Sequence, residues 1–149
     1  MNGLITDPDE IRELYEFIKQ KPLDYSDYLV WVEKCYRELQ SGYKKGFVSR
    51  LDGKIIADFV VQPHKQNSNC LEIKNARVTD GFEGRGIFSG LYRTVENYAR
   101  ENKFKRIVCD AHAANDAIIS RFLKLGFRVV AHEKLYNSGL EAMMEKELD

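Results

Sequence analysis

One stretch of the chain, from Leu71 to Phe88, restricts the fold more than any other. It has the pattern of a strand that runs through a loop punctuated by glycines and then into an amphipathic helix. Gly84 and Gly86 lack a Cβ, so the loop can take backbone angles closed to other residues and let a ligand approach the main chain. The first amides of the following helix have no partner inside it and carry the positive end of its dipole. The pattern therefore predicts a site for an anion such as a pyrophosphate, where Arg85 either adds a charged contact or points to solvent.

Length and composition predict one soluble domain over residues 1–149. A chain of 149 residues can bury a sizeable core without disulfides or metals. Its 23 basic and 23 acidic residues cancel, which argues against a general nucleic-acid or membrane-surface binder. The three cysteines are widely spaced, which favours a reducing compartment without a disulfide framework. No metal-ligand spacing is found, and the N-terminus lacks the regions of a secretion signal, so we expect a cytoplasmic protein without a metal.

Hydrophobic periodicity and breaker residues predict the order of the elements. A first helix begins with Asp7 as its cap and Pro8 at its first position, and it ends at Lys21-Pro22. A second helix begins near Ser26. The later elements are strands near 45–51 and 54–61 joined by the turn Asp52-Gly53, the strand before the glycine loop, a helix near 86–101, a strand near 104–110, a helix near 114–125, and strands near 127–136 and 140–148 around the turn Asn137-Ser138-Gly139. This order predicts an α/β fold of the α+β kind, with a mixed, mostly antiparallel central sheet and helices on both faces.

The element order and two motifs resemble the GNAT superfamily of N-acetyltransferases. The core motif of that superfamily is Arg or Gln, two residues, Gly, one residue, then Gly or Ala. In the frame from Glu83 to Phe88, Gly86 matches the central glycine, whereas Glu83 and Phe88 depart from the pattern. The second block is an Asn, an aromatic residue seven positions on, and Gly-Phe at positions eleven and twelve. Asn115, Phe122 and Gly126-Phe127 satisfy that block.

The resemblance implies an acyl-CoA N-acyltransferase-like fold with acetyl-CoA as co-substrate. The pantetheine then lies in a gap between the strand before the loop and the strand after it, and the loop amides hold the pyrophosphate. Carried over position by position, the cofactor contacts are Val78, Glu83, Gly84, Arg85, Gly86, Ile87, Phe88 and Asn115. A carboxylate at Glu83 repels a pyrophosphate unless it points away. Phe88 contributes its amide if its ring packs into the core.

Acetyl transfer to an amine requires a group that accepts a proton. An alkylamine has a pKa near 10.4, so only about one molecule in a thousand is unprotonated at neutral pH. Glu72 is the leading candidate, because its spacing of eleven residues to Glu83 resembles the catalytic-glutamate strand of the general-control histone acetyltransferases. A salt bridge between Glu72 and Lys74 is the structural alternative. His64 and His112 are alternative bases.

Phe122 stands where many members of the superfamily have a Tyr that protonates the departing thiolate. A thiol of pKa near 8.5 that leaves as thiolate at pH 7 costs only about 2 kcal/mol, so we expect slower catalysis rather than none. Tyr92, Tyr136 or a water are the candidate substitutes.

The predicted function is therefore transfer of an acetyl group from acetyl-CoA to a primary amine of a small molecule or peptide. The alternative is a catalytically weak, acyl-CoA-binding regulatory or interaction module, which the departures at Glu83 and Phe122 favour. Trp31 and the tyrosine-rich second helix offer a surface for a homodimer.

Overall fold

The computed structural model describes residues 2–20, 27–136 and 139–149. The predicted helix end at Lys21-Pro22, the predicted helix start at Ser26 and the Asn137-Ser138 part of the last turn lie outside the described residues. In chain order the elements are β1 (Asn2–Ile5), α1 (Pro8–Gln20), α2 (Tyr28–Ser41), β2 (Lys45–Leu51), β3 (Lys54–Pro63), β4 (Cys70–Val78), α3 (Ile87–Glu101), β5 (Arg106–His112), α4 (Asp116–Lys124), β6 (Arg128–Tyr136) and β7 (Gly139–Glu147).

The local signals for the first helix are confirmed. Asp7 Oδ1 accepts a hydrogen bond from the Asp9 amide at 2.7 Å, and Pro8 is the first helical residue. A short strand at Asn2–Ile5 was not predicted, because four residues beside a glycine give no readable alternation. It forms only as an antiparallel edge to β2.

The seven strands form one sheet in the order β1-β2-β3-β4-β5-β7-β6. Neighbouring strands are antiparallel except β4 and β5, which are parallel. The prediction of a mixed, mostly antiparallel sheet is confirmed. β4 and β5 are parallel because α3 connects them: the helix carries the chain back to the edge of the sheet at which β4 begins, and β5 starts there.

Two cores lie on opposite faces of the sheet, so the prediction of helices on both faces is also confirmed. The core under α3 and α4 includes Phe47, Phe59, Leu71, Ile73, Leu91, Val95, Ile107, Cys109, Phe122 and Met144. The core under α1 and α2 includes Ile5, Leu14, Ile18, Val32, Leu39, Val48, Ile55 and Val60. The strand side chains of this second core belong to β1, β2 and β3. On the face under α1 and α2, β5 and β7 carry polar side chains instead.

The centre of the sheet opens between β4 and β5. The two strands pair only from Cys70 to Glu72 of β4, opposite Arg106 to Val108 of β5. On its other side, β4 carries a bulge at Lys74, because Val60 of β3 pairs with Asn75 and the next residue of β3 pairs with Ile73. A bulge bends a strand and increases its twist, which directs the rest of β4 away from β5.

Candidate active site

The loop after β4 leaves the first amides of α3 open. Gly84 and Gly86 have φ of 77° and 76°, in the left-handed region that favours glycine. Gly86 is the N-cap of α3, and the first helical hydrogen bond runs from the Gly90 amide to the Gly86 carbonyl at 2.9 Å. The amides of residues 87–89 therefore have no acceptor within the helix. No atom beyond the chain neighbours lies within 4 Å of a Cβ built on Gly84 or Gly86, so the surface of the loop is open to a ligand.

Glu83 and Arg85 both have partners within the loop. Glu83 Oε2 accepts a hydrogen bond from the Gly81 amide at 2.9 Å, which holds the carboxylate against the preceding turn. The Arg85 guanidinium lies 5.2 Å from the ring centroid of Phe82. The departure at Glu83 thus has a structural role in closing the turn.

Phe88 packs into the core and leaves only its amide at the start of α3. Its ring is 8% exposed and lies 5.0 Å from the Phe59 ring and 5.4 Å from the Phe122 ring, centroid to centroid. The guanidinium of Arg121, from α4, lies 5.5 Å from the Phe88 ring. This arginine brings a positive charge to the start of α3. The sequence alone does not indicate this contact, because only the packing of α4 on α3 brings Arg121 and Phe88 together.

Val78 and Asn115 lie on the two sides of the opening. Val78 is the last residue of β4 and pairs with Ala57 of β3, so its other edge faces the gap. Asn115 is the N-cap of α4, where its Oδ1 accepts a hydrogen bond from the Ile118 amide at 3.3 Å. A contact between Asn115 and a pantetheine would therefore use its side-chain nitrogen.

Glu72 lies at the point where β4 and β5 part. It is the last residue of β4 that pairs with β5, and its side chain is 19% exposed. Its neighbours Leu71 and Ile73 belong to the core under α3, so Glu72 projects to the opposite face of the sheet. Gln62 Nε2 lies 3.4 Å from Glu72 Oε1, and Lys74 Nζ lies 3.4 Å from Glu72 Oε2. The ion pair between Glu72 and Lys74, which the sequence suggested as the structural alternative to a catalytic role for Glu72, is present.

A pair of carboxyl groups, Asp110 and Glu141, lies across the opening on the same face as Glu72. Asp110 is on β5 and Glu141 on β7, and their side chains are hydrogen-bonded to each other. Burial raises the pKa of Asp110. Burial, together with the hydrogen bond to Asp110, raises the pKa of Glu141 to about 7. This pair was not predicted from the sequence, where the one available signal is an acidic residue between apolar neighbours of a strand.

The other candidate bases and acids have different surroundings. His112 lies opposite Glu141 in the β5–β7 register, and its Nδ1 accepts a hydrogen bond from the Ala114 amide at 3.2 Å. His64 follows β3, where its amide bonds the carbonyl of Cys70 at the closed end of the gap. Tyr92 is buried and donates to Glu96 Oε1 at 2.8 Å, and burial raises its pKa. The side chain of Tyr136 lies outside the described part of the chain.

Phe122 is 3% exposed, and its ring lies 5.0 Å from the ring of Phe127 in an edge-on arrangement. The aromatic residue of the second motif is thus part of the core, and it provides no hydroxyl group.

Among residues 2–20, 27–136 and 139–149, no group of three or more His, Cys, Asp or Glu side chains is arranged to hold a metal ion. None of the helices in these ranges combines the length and the apolar character needed to cross a membrane.

Replacing Glu141 with Gln is expected to flatten the pH dependence of stability. The pKa of Glu141 is about 7 in the folded protein, against about 4.3 for an unperturbed glutamate. Between these values the folded state holds more protons, so the free energy of unfolding falls as the pH rises toward 7. The glutamine variant lacks this contribution. Urea unfolding at pH 5, 6, 7 and 8 measures the slope of the free energy of unfolding against pH for the wild type and for the variant.

The exposed Glu101 supplies the control, because its replacement by Gln removes the same charge without a buried partner. The Glu101 variant is expected to follow the wild-type slope. Equal slopes for the wild type and the Glu141 variant would contradict a raised pKa at Glu141.

Comparison with known proteins relates this geometry to one family. The model of the acetyltransferase (GNAT) family matches residues 9–127. N-acetylaspartate synthetase from Danio rerio is 28% identical over 90 residues, which are 60% of this chain and 32% of that protein. The match therefore spans about a third of the length of this curated relative.

Solved structures share the fold at lower identity. The ribosomal-protein-alanine N-acetyltransferase from Brucella melitensis is 17% identical, with 99% of each chain covered and a TM-score of 0.78. A protein from Bacillus anthracis str. Ames, proposed to be a streptothricin acetyltransferase and solved in complex with acetyl coenzyme A, is 18% identical. The aligned part covers 72% of this chain and 64% of the Bacillus anthracis chain, with a TM-score of 0.65. At these identities the likeness establishes the fold.

Proposed function

Since the chain belongs to the acetyltransferase (GNAT) family, we propose that it transfers the acetyl group of acetyl-CoA directly to a primary amine of a small molecule or a peptide. One observation carries the proposal: the sheet opens between β4 and β5, with Glu72 where the strands part and the free amides of α3 after β4. An elongated ligand with an anionic group along its length and a reactive end fits such a gap.

The described residues provide both ends of this ligand with suitable contacts. The amides of residues 87–89 and the charge of Arg121 suit a pyrophosphate. The free edge of β4 near Val78 offers backbone groups to the amides of a pantetheine, opposite the nitrogen of Asn115. The thioester then lies toward Glu72. Glu83, held by the Gly81 amide, contributes its backbone rather than its carboxylate.

The transfer needs one proton acceptor and one leaving group. Glu72 accepts the proton of the ammonium, and the free amine attacks the thioester carbonyl. The C–N bond forms, the nitrogen releases its second proton to water, the C–S bond breaks, and CoA leaves as a thiolate that takes a proton from water. Phe122 provides no hydroxyl group for that step, and the thiolate costs only about 2 kcal/mol at pH 7. The Asp110–Glu141 pair faces the same space and is the second candidate for the proton acceptor.

The carboxyl groups around the opening favour an acceptor that arrives as a cation. Glu72, Asp110 and Glu141 share one face of the sheet, with His112 beside them. A primary ammonium is attracted to such a surface and loses its proton there. Both a free amino acid and a peptide N-terminus have this chemistry, and the names of two of the three relatives above mention N-acetylaspartate and a ribosomal-protein alanine.

The direct test is acetyl transfer by the purified protein. Release of the CoA thiol is followed with a panel of amines that includes aspartate, diamines and alanine-initiated peptides, and mass spectrometry identifies the acetylated product. We expect turnover with at least one amine class and thermal stabilisation by both acetyl-CoA and CoA. Stabilisation without turnover across the panel would favour the acyl-CoA-binding module, and no stabilisation would contradict both readings.

A further inference from the structure

A row of polar side chains leads from α2 through the interior to Glu72. Glu38 Oε1 accepts from Lys44 Nζ at 2.7 Å, and Lys44 Nζ also donates to Gln62 Oε1 at 2.6 Å. Gln62 Nε2 in turn faces Glu72 Oε1 at 3.4 Å. Lys44 is 4% exposed and Gln62 is 2% exposed, so both side chains lie in the interior. Lys74 lies against the other oxygen of Glu72.

We propose that Gln62 is a positioning residue for Glu72, and that Lys44 fixes the orientation in which Gln62 acts. An ammonium group has three donors and no acceptor, so the carbonyl oxygen of the Gln62 amide must face Lys44. The amide nitrogen must then face Glu72. A buried amide with one permitted orientation presents a fixed donor to Oε1 of Glu72, and Oε2 lies against Lys74.

Lys44, which is buried, already has an ion-pair partner without Glu72 in Glu38, whose side chain is 21% exposed. A purely structural role for Lys44 would need its partner Glu38 and one further acceptor, which any carbonyl could supply. The structure instead places an amide between the buried ammonium and Glu72. The amide places a donor, oriented by the buried ammonium of Lys44, against Oε1 of Glu72, while Lys74 pairs with Oε2. Lys74 on β4 and Asp110 on β5 are the charged groups that face Glu72 from the other directions.

This inference rests on the proposed function, because the role of Gln62 is exerted through Glu72 as the proton acceptor. A carboxylate that receives one fixed hydrogen bond stays in one rotamer and remains ionised at lower pH. The acid limb of kcat/KM reports that ionisation in the free enzyme. Loss of the donor should therefore move the acid limb, with no change in the binding of acetyl-CoA.

The test replaces Gln62 with Glu, which keeps the shape and the contact with Lys44 but turns an acceptor toward Glu72. We expect the acid limb of kcat/KM to move up by about one pH unit or more, because two carboxylates that face each other resist joint ionisation. The dissociation constant of acetyl-CoA should stay within about twofold of wild type. The exposed Gln66, replaced by Glu, adds the same charge away from the gap and should leave the profile unchanged. An unchanged acid limb in a folded, active Gln62→Glu protein would overturn the proposal.

A measurement on the wild-type protein covers the case in which that variant does not fold. The side-chain amide resonances of Gln62 should shift with pH, with a midpoint equal to that of the acid limb, and the shift should vanish in Glu72→Gln. Amide resonances that do not respond to pH would also overturn the proposal. Absence of acetyl transfer by the wild type would count against the proposed function, whereas the resonances test the contact between Gln62 and Glu72 itself.

Discussion

Replacing Glu72 with Gln is expected to lower kcat by about 10²- to 10⁴-fold, the usual contribution of a positioned proton acceptor. Glutamine keeps the size of the side chain and its place beside Gln62 and Lys74, but it cannot accept the proton of an ammonium. The KM for acetyl-CoA should change little, because Glu72 faces the reactive end of the gap rather than the start of α3. Steady-state kinetics from pH 6 to pH 10 measure the effect. Activity should recover in part at high pH, where more of the amine is unprotonated.

The companion variant Asp110→Asn distinguishes Glu72 from the second candidate for the proton acceptor. If Glu72 accepts the proton, Asp110→Asn should cost less than about tenfold and act through the charge near Glu72. Glu101→Gln, at the exposed end of α3, is the control for loss of one charge. A full loss in Asp110→Asn with near-normal activity in Glu72→Gln would assign the proton acceptor to the carboxyl pair.

The parts of the fold that were predicted correctly depend on local rules. The glycine loop is followed by a helix whose N-cap is Gly86, and the turn Asp52-Gly53 joins β2 to β3. In both places, a residue with positive φ limits the choice of residue to a few types, so the sequence reveals the turn. The role of Asp7 as a helix cap could be predicted for a similar reason, because the first amides of a helix need a side-chain acceptor within two or three residues.

The contacts that were missed depend on strand register and helix packing. Asp110 meets Glu141 only because β5 pairs with β7 rather than with the outer strand β6. Gln62 lies beside Glu72 because the bulge in β4 shifts the register by one residue, and without the bulge the side-chain faces would not match. No local pattern encodes such offsets. A polar residue in an otherwise apolar strand, as at Gln62 and Asp110, was the one signal that could have indicated them.

Replacing Gly86 with Ala is expected to raise the KM for acetyl-CoA by at least about tenfold. In the protein alone, the added methyl group meets open space, since nothing lies within 4 Å of a Cβ at this position. It costs about 1–2 kcal/mol of stability, because φ is 76° and an L side chain is strained there. The methyl group also stands at the start of α3, where the main chain must come close to the pyrophosphate. The loss of affinity for acetyl-CoA in the Gly86 variant should therefore be larger than the backbone strain alone explains.

Gly53 provides a matched control for this prediction. Its φ is 79° and it also has nothing within 4 Å of a built Cβ, but it lies in the turn between β2 and β3. The Ala variants of Gly53 and Gly86 should lose similar stability in thermal unfolding, because the backbone strain is the same in kind and size. Only the Gly86 variant should bind CoA and acetyl-CoA more weakly by calorimetry. Equal binding by the two variants would mean that the pyrophosphate does not approach the main chain at Gly86, and the anion site would then have to lie elsewhere along the gap.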